Sequence, residues 1–273
     1  MDEYEYAHGW IESTRELIEC PLNGVMVTPG NHDIDHAIVP ADGAVDLLHE
    51  EIRKAANTQQ CNERLATSLR DPDKGEALFS PLAAYNEFAS KYGCRVHRES
   101  PYWERDFRLR DGTIIRFRGI TTTLLSSARD NYNSHRMLYG GAQLSILREP
   151  NVRHAIVGHH PPSWTIDSDD ADHVLASLTC LQIFGHKHEA EHWLVSVGHS
   201  VRIIAGAVHP SRNESTWQPR YSAFAISAID DRNLALRIFP RRWSGEELMF
   251  IGDFNSQGHD YRDYTLQVPP RQS

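Results

Sequence analysis

Three apolar stretches of this sequence end in residues that can bind a metal ion or move a proton. The stretches are "VMV" (25–27), "AIV" (155–157) and "LQIF" (181–184). Histidine is the commonest protein ligand of transition metals, and together with amide and carboxylate oxygens it suits Zn, Mn, Fe or Co. The residues that follow the three stretches are Asn31, His32, Asp33, His159, His160, His186 and His188.

These apolar stretches have the length and composition of short buried strands. In layered α/β proteins, functional groups gather where the loops after the carboxyl ends of the strands converge. Gly158 and Gly185 each precede a histidine, and a residue without Cβ lets the backbone turn sharply. His186 and His188 are two apart, which on a strand end puts both on one face, within reach of two neighbouring ions. The pattern predicts a metal site at one edge of a sheet.

Each part of this pattern has a plainer interpretation when taken alone. A single histidine beside a glycine is most often an ordinary polar residue. Asn31 and Asp33 after Pro29-Gly30 are also typical of a turn. The metal site is therefore predicted from the three segments together.

The remaining pattern predicts a mixed α/β protein with layered sheets. Helical periodicity covers residues 3–20 and most of 42–95, and a strand is expected over 24–28. Asp111-Gly112 lies between two strand-like runs, which predicts a hairpin. Further elements are strands over 153–160 and 181–188, short helices over 140–149 and 172–180, two strands within 192–210, and a hairpin around Asp230-Asp231.

The segments "GNHD" (30–33), "GHHP" (158–161) and "GHKH" (185–188) resemble, in order and spacing, the third, fourth and fifth motifs of the calcineurin-like metallophosphoesterase family. The resemblance covers roughly residues 1–210, and the closing hairpins fit bacterial members. It implies a two-layered mixed β-sandwich flanked by helices. It also implies a site for two divalent metal ions (Mn, Fe, Zn or Co) that hydrolyses phosphate esters.

Matched by position, the resemblance assigns a role to six residues. Asn31, His159 and His186 would bind the second metal, and His188 the first. His32 would protonate the leaving oxygen, with Asp33 orienting its ring. Of the two histidines in "GHHPP", the family pattern selects His159 as the ligand, so His160 is expected to point away or to support the ligands.

Two earlier motifs of the family, Asp-x-His and Gly-Asp, cannot be placed in this sequence. The resemblance therefore implies a chain shortened at its N-terminus that lacks the first strands. It would also lack the bridging carboxylate and most ligands of the first metal. On this interpretation activity is impaired and an unpaired sheet edge is exposed.

Composition limits the partners. The formal net charge of −9 argues against a dedicated nucleic-acid binder without excluding one. The four dispersed cysteines do not suggest a disulfide framework. Neither a membrane-length apolar run nor a signal peptide is evident, which predicts a cytoplasmic protein. His209 and Arg212 are candidate substrate contacts, although a surface loop is the favoured interpretation of this segment.

We therefore expect residues 1–273 to form a single domain, incomplete at its N-terminus, with a largely helical insertion over 36–105. The predicted function is hydrolysis of a phosphomonoester or phosphodiester, with a small phosphate ester or a nucleotide as substrate. The alternative is a non-catalytic protein that binds one metal or a phosphate ligand, or serves as an interaction domain. The sequence does not define the oligomeric state.

Overall fold

The computed structural model describes most of the chain and divides it into two compact units. The described residues are 3–41, 43–131, 133, 136–186, the backbone of 191–195, 200–208, 218–230, 232–253 and 259–267. The first unit consists of Met1–Trp103, Gly119–Ser145 and Trp164–Asp167. The second consists of Glu104–Arg118, Ile146–Ser163 and Ser168–Ser273.

Helices dominate the first unit. They are α1 (Glu3–Leu17), α2 (Ala44–Arg53), α3 (Thr58–Arg70), α4 (Pro72–Phe79), α5 (Ala83–Ser90) and the short α6 (Gly141–Leu144). Two of these helices begin at side chains that bind their free amides. Asn57 accepts from the backbone N–H of Gln60, and Asp71 accepts from those of Asp73 and Lys74. Pro72 directly after Asp71 supplies the fixed φ that suits a first helical position.

The segment expected to form a strand over 24–28 is not a strand. A 3-10 turn spans Leu22–Gly24, and the chain is irregular from Val25 to Gly30. The carbonyl of Val27 instead accepts hydrogen bonds from two side chains, Tyr85 Oη at 3.1 Å and Trp103 Nε1 at 2.9 Å. Side-chain donors thus satisfy a carbonyl that would otherwise need a neighbouring strand.

Trp103 reaches Val27 because glycine stands at position 119. A Cβ at Gly119 would lie 2.0 Å from Trp103 Cε2 and 2.1 Å from Cζ2. Trp103 is buried, so its ring has little space to move into. We therefore expect Gly119→Ala to lower the free energy of unfolding by about 1–3 kcal/mol, as overpacking of a core typically does. Urea denaturation measures this value.

Gly141→Ala is the matched control, because a Cβ there meets no atom within 4 Å. If both alanine variants unfold at the same urea concentration, the packing of Trp103 on Gly119 does not limit stability.

His49 on α2 is buried with no hydrogen-bond partner for either ring nitrogen in the described part of the chain. Burial, and then the positive charge of Arg53, lowers its pKa from 6.5 to about 3. As the pH falls from about 6.5 towards 3, the unfolded chain therefore takes up a proton that the folded chain does not. Folding stability is lost over this range, by about 3 kcal/mol near pH 4.5.

We expect His49→Leu to reduce this acid sensitivity, because leucine neither titrates nor leaves polar atoms unpaired. Urea denaturation at about pH 7 and pH 4.5 gives the loss of stability for each variant. His173→Leu, at an exposed position on the second unit, is the control. An equal loss in wild type and His49→Leu would show that His49 is not the acid-sensitive group.

In the described part of the chain, six strands form the larger sheet, in the order β1-β2-β3-β4-β6-β5. They are β1 (Tyr102–Arg108), β2 (Ile114–Ile120), β3 (Val152–Gly158), β4 (Thr179–Phe184), β5 (Glu191–Val195) and β6 (Ser200–Ile204). β3, β4 and β6 are parallel, and β5 is antiparallel to β6. Helix α7 (Ser168–Leu178) connects β3 to β4. A helical crossover of this kind is what parallel neighbours require.

Two turns confirm the predicted hairpins. Between β1 and β2, Gly112 has φ of +89°, and both carboxylate oxygens of Asp111 accept hydrogen bonds from Thr113. The second hairpin joins β7 (Arg220–Asp230) to β8 (Asn233–Ser244). There the Asp230 carboxylate accepts from the backbone N–H of Arg232 and from the Asn233 side chain.

A second sheet contains β7, β8, β9 (Met249–Gly252) and β10 (Arg262–Gln267). β8 pairs with β7 along one side and with β9 and β10 along the other. One face of this sheet is buried, and β10 contacts β6 of the larger sheet. The buried side chains are Leu234, Leu236, Ile238 and Leu266. The described residues thus form a mixed α/β protein with two sheets and helices, as the sequence predicts.

None of the helices in the described part of the chain combines the length and the hydropathy needed to cross a membrane.

Candidate metal centre

The register of β3 and β4 brings together the residues that follow these two strands. Gly158 lies opposite Phe184 in the parallel pair. One residue further on, the backbone N–H of Gly185 donates to the carbonyl of His159 at 2.9 Å. A Cβ at position 185 would lie 3.3 Å from Nδ1 of His159, so glycine leaves room for that ring. The next residue, His186, therefore lies beside His159.

Among the described residues, three histidines meet at this point. One ring nitrogen from each of His159, His160 and His186 lies within 4.8 Å of the other two. Nδ1 of His186 is 3.3 Å from Nε2 of His159. The rings of His160 and His186 are also close, with centroids 4.4 Å apart. His160 is buried, whereas His159 and His186 are half-buried.

His160 belongs to the cluster, although the family pattern selects His159 as the ligand. Consecutive side chains point to opposite faces only while the chain remains a strand. β3 ends at Gly158, and residues 159 and 160 form a bend, so both rings can turn to the same side. The structure thus places both histidines of "GHHPP" beside His186.

His186 has a left-handed backbone conformation, with φ of +69°. Gly185, at which the sequence predicts the sharp turn, does not have a positive φ. A residue with a Cβ is uncommon in this region, and such strain is concentrated at functional sites. Here the conformation places the His186 ring on the cluster rather than along the line of β4.

The buried histidine is held in its neutral form. Burial lowers the pKa of His160 from 6.5 to about 2, and the neighbouring His159 and His186 lower it further. Metal ions bind neutral imidazole, so no proton on His160 competes with a metal near neutral pH.

One pair of ring nitrogens in the cluster has the spacing of two ligands of a single transition-metal ion. Two nitrogens bound to one tetrahedral zinc at about 2.05 Å lie about 3.3 Å apart. This matches the 3.3 Å between His186 Nδ1 and His159 Nε2. Three histidines with a fourth position open is also a common arrangement in catalytic zinc sites.

Comparison with known proteins does not place the chain in a family. No protein-family model matches it, and no curated protein matches it. Among solved structures, a similar one is described as GAP50, the anchor in the inner membrane complex of Plasmodium. It is 16% identical, with a TM-score of 0.31, and the match covers 63% of this chain and 55% of that one. A TM-score of this size supports no inference about this protein.

Asn31, His32 and Asp33 lie in the first unit and form a 3-10 turn. Both oxygens of the Asp33 carboxylate accept hydrogen bonds that stabilise this turn. The carboxylate accepts from the hydroxyl of Tyr4 on α1 and from the backbone N–H of Gly30, each at 2.7 Å. Burial raises the pKa of Asp33, and these hydrogen bonds oppose that rise.

The turn leaves His32 exposed and Asn31 half-buried. Within the described residues His32 makes no hydrogen bond to Asp33, whose oxygens are bound to Tyr4 and Gly30 instead. That Asp33 orients the His32 ring, and that Asn31 is a ligand alongside His159 and His186, both stay predictions. Tyr4 was not among the predicted site residues, since nothing in the sequence links it to a residue 29 positions away.

Three predicted site residues lie outside the described part of the chain. They are the metal ligand His188 and the substrate contacts His209 and Arg212. Their roles also stay predictions.

Proposed function

We propose that this protein is a metal-dependent phosphoesterase of the calcineurin-like class. The observation that carries the proposal is the cluster of His159, His160 and His186 at the ends of two adjacent parallel strands. The segments "GNHD", "GHHP" and "GHKH" support it, because their order resembles that of the family motifs. The proposal includes the finer fold of that class, a two-layered β-sandwich flanked by helices.

Within this proposal, His159, His160 and His186 hold a divalent metal ion. Asn31 and His188 are further ligands by resemblance, and a second ion belongs to the proposal on the same ground. A bound transition metal lowers the pKa of a water molecule towards neutrality and withdraws charge from a phosphoryl group.

By resemblance, His32 and Asp33 supply proton transfer and positioning in this proposal. His32 is exposed, as a residue that meets a substrate must be. We propose that its imidazolium donates a proton to the oxygen that leaves phosphorus, a step worth roughly 10²–10⁴-fold in rate. Tyr4 and Gly30 donate hydrogen bonds to the Asp33 carboxylate. These bonds stabilise the 3-10 turn that contains His32.

The substrate of this proposal is a small phosphate ester or a nucleotide. The formal net charge of −9 gives the chain no general attraction for a polyanion. A bound cation would supply the local positive charge that a single phosphate group needs.

A second candidate function is metal binding without catalysis. It is favoured because the cluster found among the described residues contains three histidines and no carboxylate. A carboxylate is the usual bridge in a two-metal site, whereas three histidines are sufficient for one ion.

The two candidates differ in one experiment. The purified chain is treated with a chelator, dialysed, and supplied separately with Zn²⁺, Mn²⁺, Co²⁺ or Fe²⁺. Hydrolysis of nitrophenyl phosphate and bis(nitrophenyl) phosphate is then followed. Turnover that requires one of these ions supports the phosphoesterase. Tight metal binding with no turnover above the rate of the free ion supports the second candidate, and the absence of both rejects the metal site.

A further inference from the structure

As far as the described residues show, strand β7 is an open edge of the second sheet. The order β10-β8-β7 leaves it with one neighbour, and among the described residues nothing pairs with the other side of Tyr221–Ile229. Edge strands expose rows of backbone donors and acceptors, and proteins usually block them with charges, prolines or bulges.

The edge of β7 carries none of these blocks over most of its length. The nine residues "YSAFAISAI" (221–229) include no charged residue, no proline and no glycine. A bulge occurs only near the end of the strand, between Ala228 and Asp230. Three large side chains are exposed along it, Tyr221 at 40%, Phe224 at 37% and Ile229 at 56%.

The pairing with β8 shows which backbone groups face outwards. The N–H of Trp243 donates to the carbonyl of Pro219, so Pro219 faces β8. Arg220 faces the other way, and its N–H donates to the carbonyl of Ala207. Because the direction alternates along a strand, Ser222, Phe224 and Ile226 present their N–H and C=O groups to the open side. Ser222 lies opposite Pro240, which has no N–H to offer it.

The same stretch is complementary to a second copy of itself. In an antiparallel pair centred on Ala225, Phe224 lies opposite Ile226 of the second copy, and Tyr221 lies opposite Ile229. Aromatic side chains opposite β-branched ones are favourable cross-strand pairs. The backbone N–H and C=O groups of Phe224 and Ile226 both face the open side. In this register, those of Phe224 in one copy can therefore form hydrogen bonds with those of Ile226 in the other.

The pairing in this register is confined to Tyr221–Ile229. At the start of the strand the open side is already occupied, because the N–H of Arg220 donates to the carbonyl of Ala207. At its end the Asp230 carboxylate caps the hairpin turn. The register therefore rests on the uncharged residues between these two.

We propose that β7 pairs antiparallel with β7 of a second copy of this chain and forms a two-fold symmetric dimer. A two-fold contact uses the same patch on both copies, as this strand does. One strand of 11 residues is smaller than the 20–30 residues per side of a standard interface. The dimer is accordingly weak, with a dissociation constant in roughly the micromolar range. This inference is independent of the metal site.

A charge exchange at Ala225 tests the pairing. Ala225 is exposed and faces its own counterpart at the two-fold axis, so Ala225→Lys and Ala225→Asp each place like charges opposite each other. By sedimentation equilibrium over a range of concentrations, we expect each variant alone to dimerise roughly tenfold more weakly than wild type. An equimolar mixture of the two should associate at least as well as wild type.

Thr265→Lys is the matched control, because Thr265 is an exposed residue on β10 at the opposite edge of the same sheet. It should dimerise like wild type, and urea denaturation confirms that all variants are folded. A wild-type chain that stays monomeric at every concentration overturns the proposal. So does a dimer that Ala225→Lys leaves unchanged, or a mixture of the two charged variants that remains monomeric.

Discussion

Replacement of His186 by alanine should lower the affinity of this protein for Zn²⁺ by at least about 100-fold. Loss of a group that merely supports a metal ligand typically costs 10–100-fold, and loss of a ligand should cost no less. Nδ1 of His186 also lies 3.3 Å from Nε2 of His159, so its ring is close to a second proposed ligand. Competition with a chromogenic chelator measures the affinity directly.

His186→Ala distinguishes the effect of the imidazole ring from that of the backbone conformation. Alanine keeps a Cβ at a φ of +69°, so the local strain remains and only the imidazole is lost. His173→Ala, which removes an exposed histidine on α7, should leave the affinity unchanged. If His186→Ala retains wild-type affinity while the chain is folded, the bound ion lies elsewhere.

Replacement of His32 by alanine should lower kcat for a phosphate ester by roughly 10²–10⁴-fold, the range expected for loss of a general acid. The metal content should not change, because His32 is proposed to act on the leaving oxygen and not on the ion. The loss should be smaller for a nitrophenyl ester than for an alkyl ester. A nitrophenolate leaves readily without a proton, whereas an alkoxide does not.

His36→Ala serves as the control, since His36 is an exposed histidine four residues further along the same segment. It should retain wild-type kcat. Equal losses for both esters in His32→Ala would contradict a role in protonating the leaving group, and would indicate a loss of substrate binding or of local structure.

Elements defined by local pattern could be predicted from the sequence. The apolar runs before "GHHP" and "GHKH" are strands β3 and β4, and the Asp111-Gly112 turn lies between β1 and β2. In each case the information lies within a few neighbouring residues. An apolar run with flanking glycines predicts a buried strand, and Asp-Gly between two alternating runs predicts a tight turn.

Elements that depend on distant partners could not be predicted in this way. Val25 to Val27 has the composition of a strand, yet the Val27 carbonyl is bound by side chains 58 and 76 residues away. A strand requires a neighbouring backbone, and composition does not show whether one is present. The link between Tyr4 and Asp33 is equally invisible, because it depends on where α1 packs.

The same distinction between local pattern and distant partners applies to the residues of the site. Placing His159 and His186 after adjacent strands required only the strand pattern. Including His160 required knowledge that the chain bends directly after Gly158, so that neighbouring side chains no longer alternate. The positive φ of His186 was also beyond the sequence, which pointed to Gly185 as the turning residue.

X-ray absorption spectroscopy of the zinc-loaded chain tests the metal centre most directly, because it counts the imidazole ligands around the ion. The cluster predicts about three imidazole nitrogens at about 2.0–2.1 Å, with one further light atom completing the shell. His160→Ala should reduce the count by one, which separates the cluster seen here from a site built on His159 and His186 without it. A spectrum with only oxygen neighbours, or one that His160→Ala leaves unchanged, would contradict the three-histidine site.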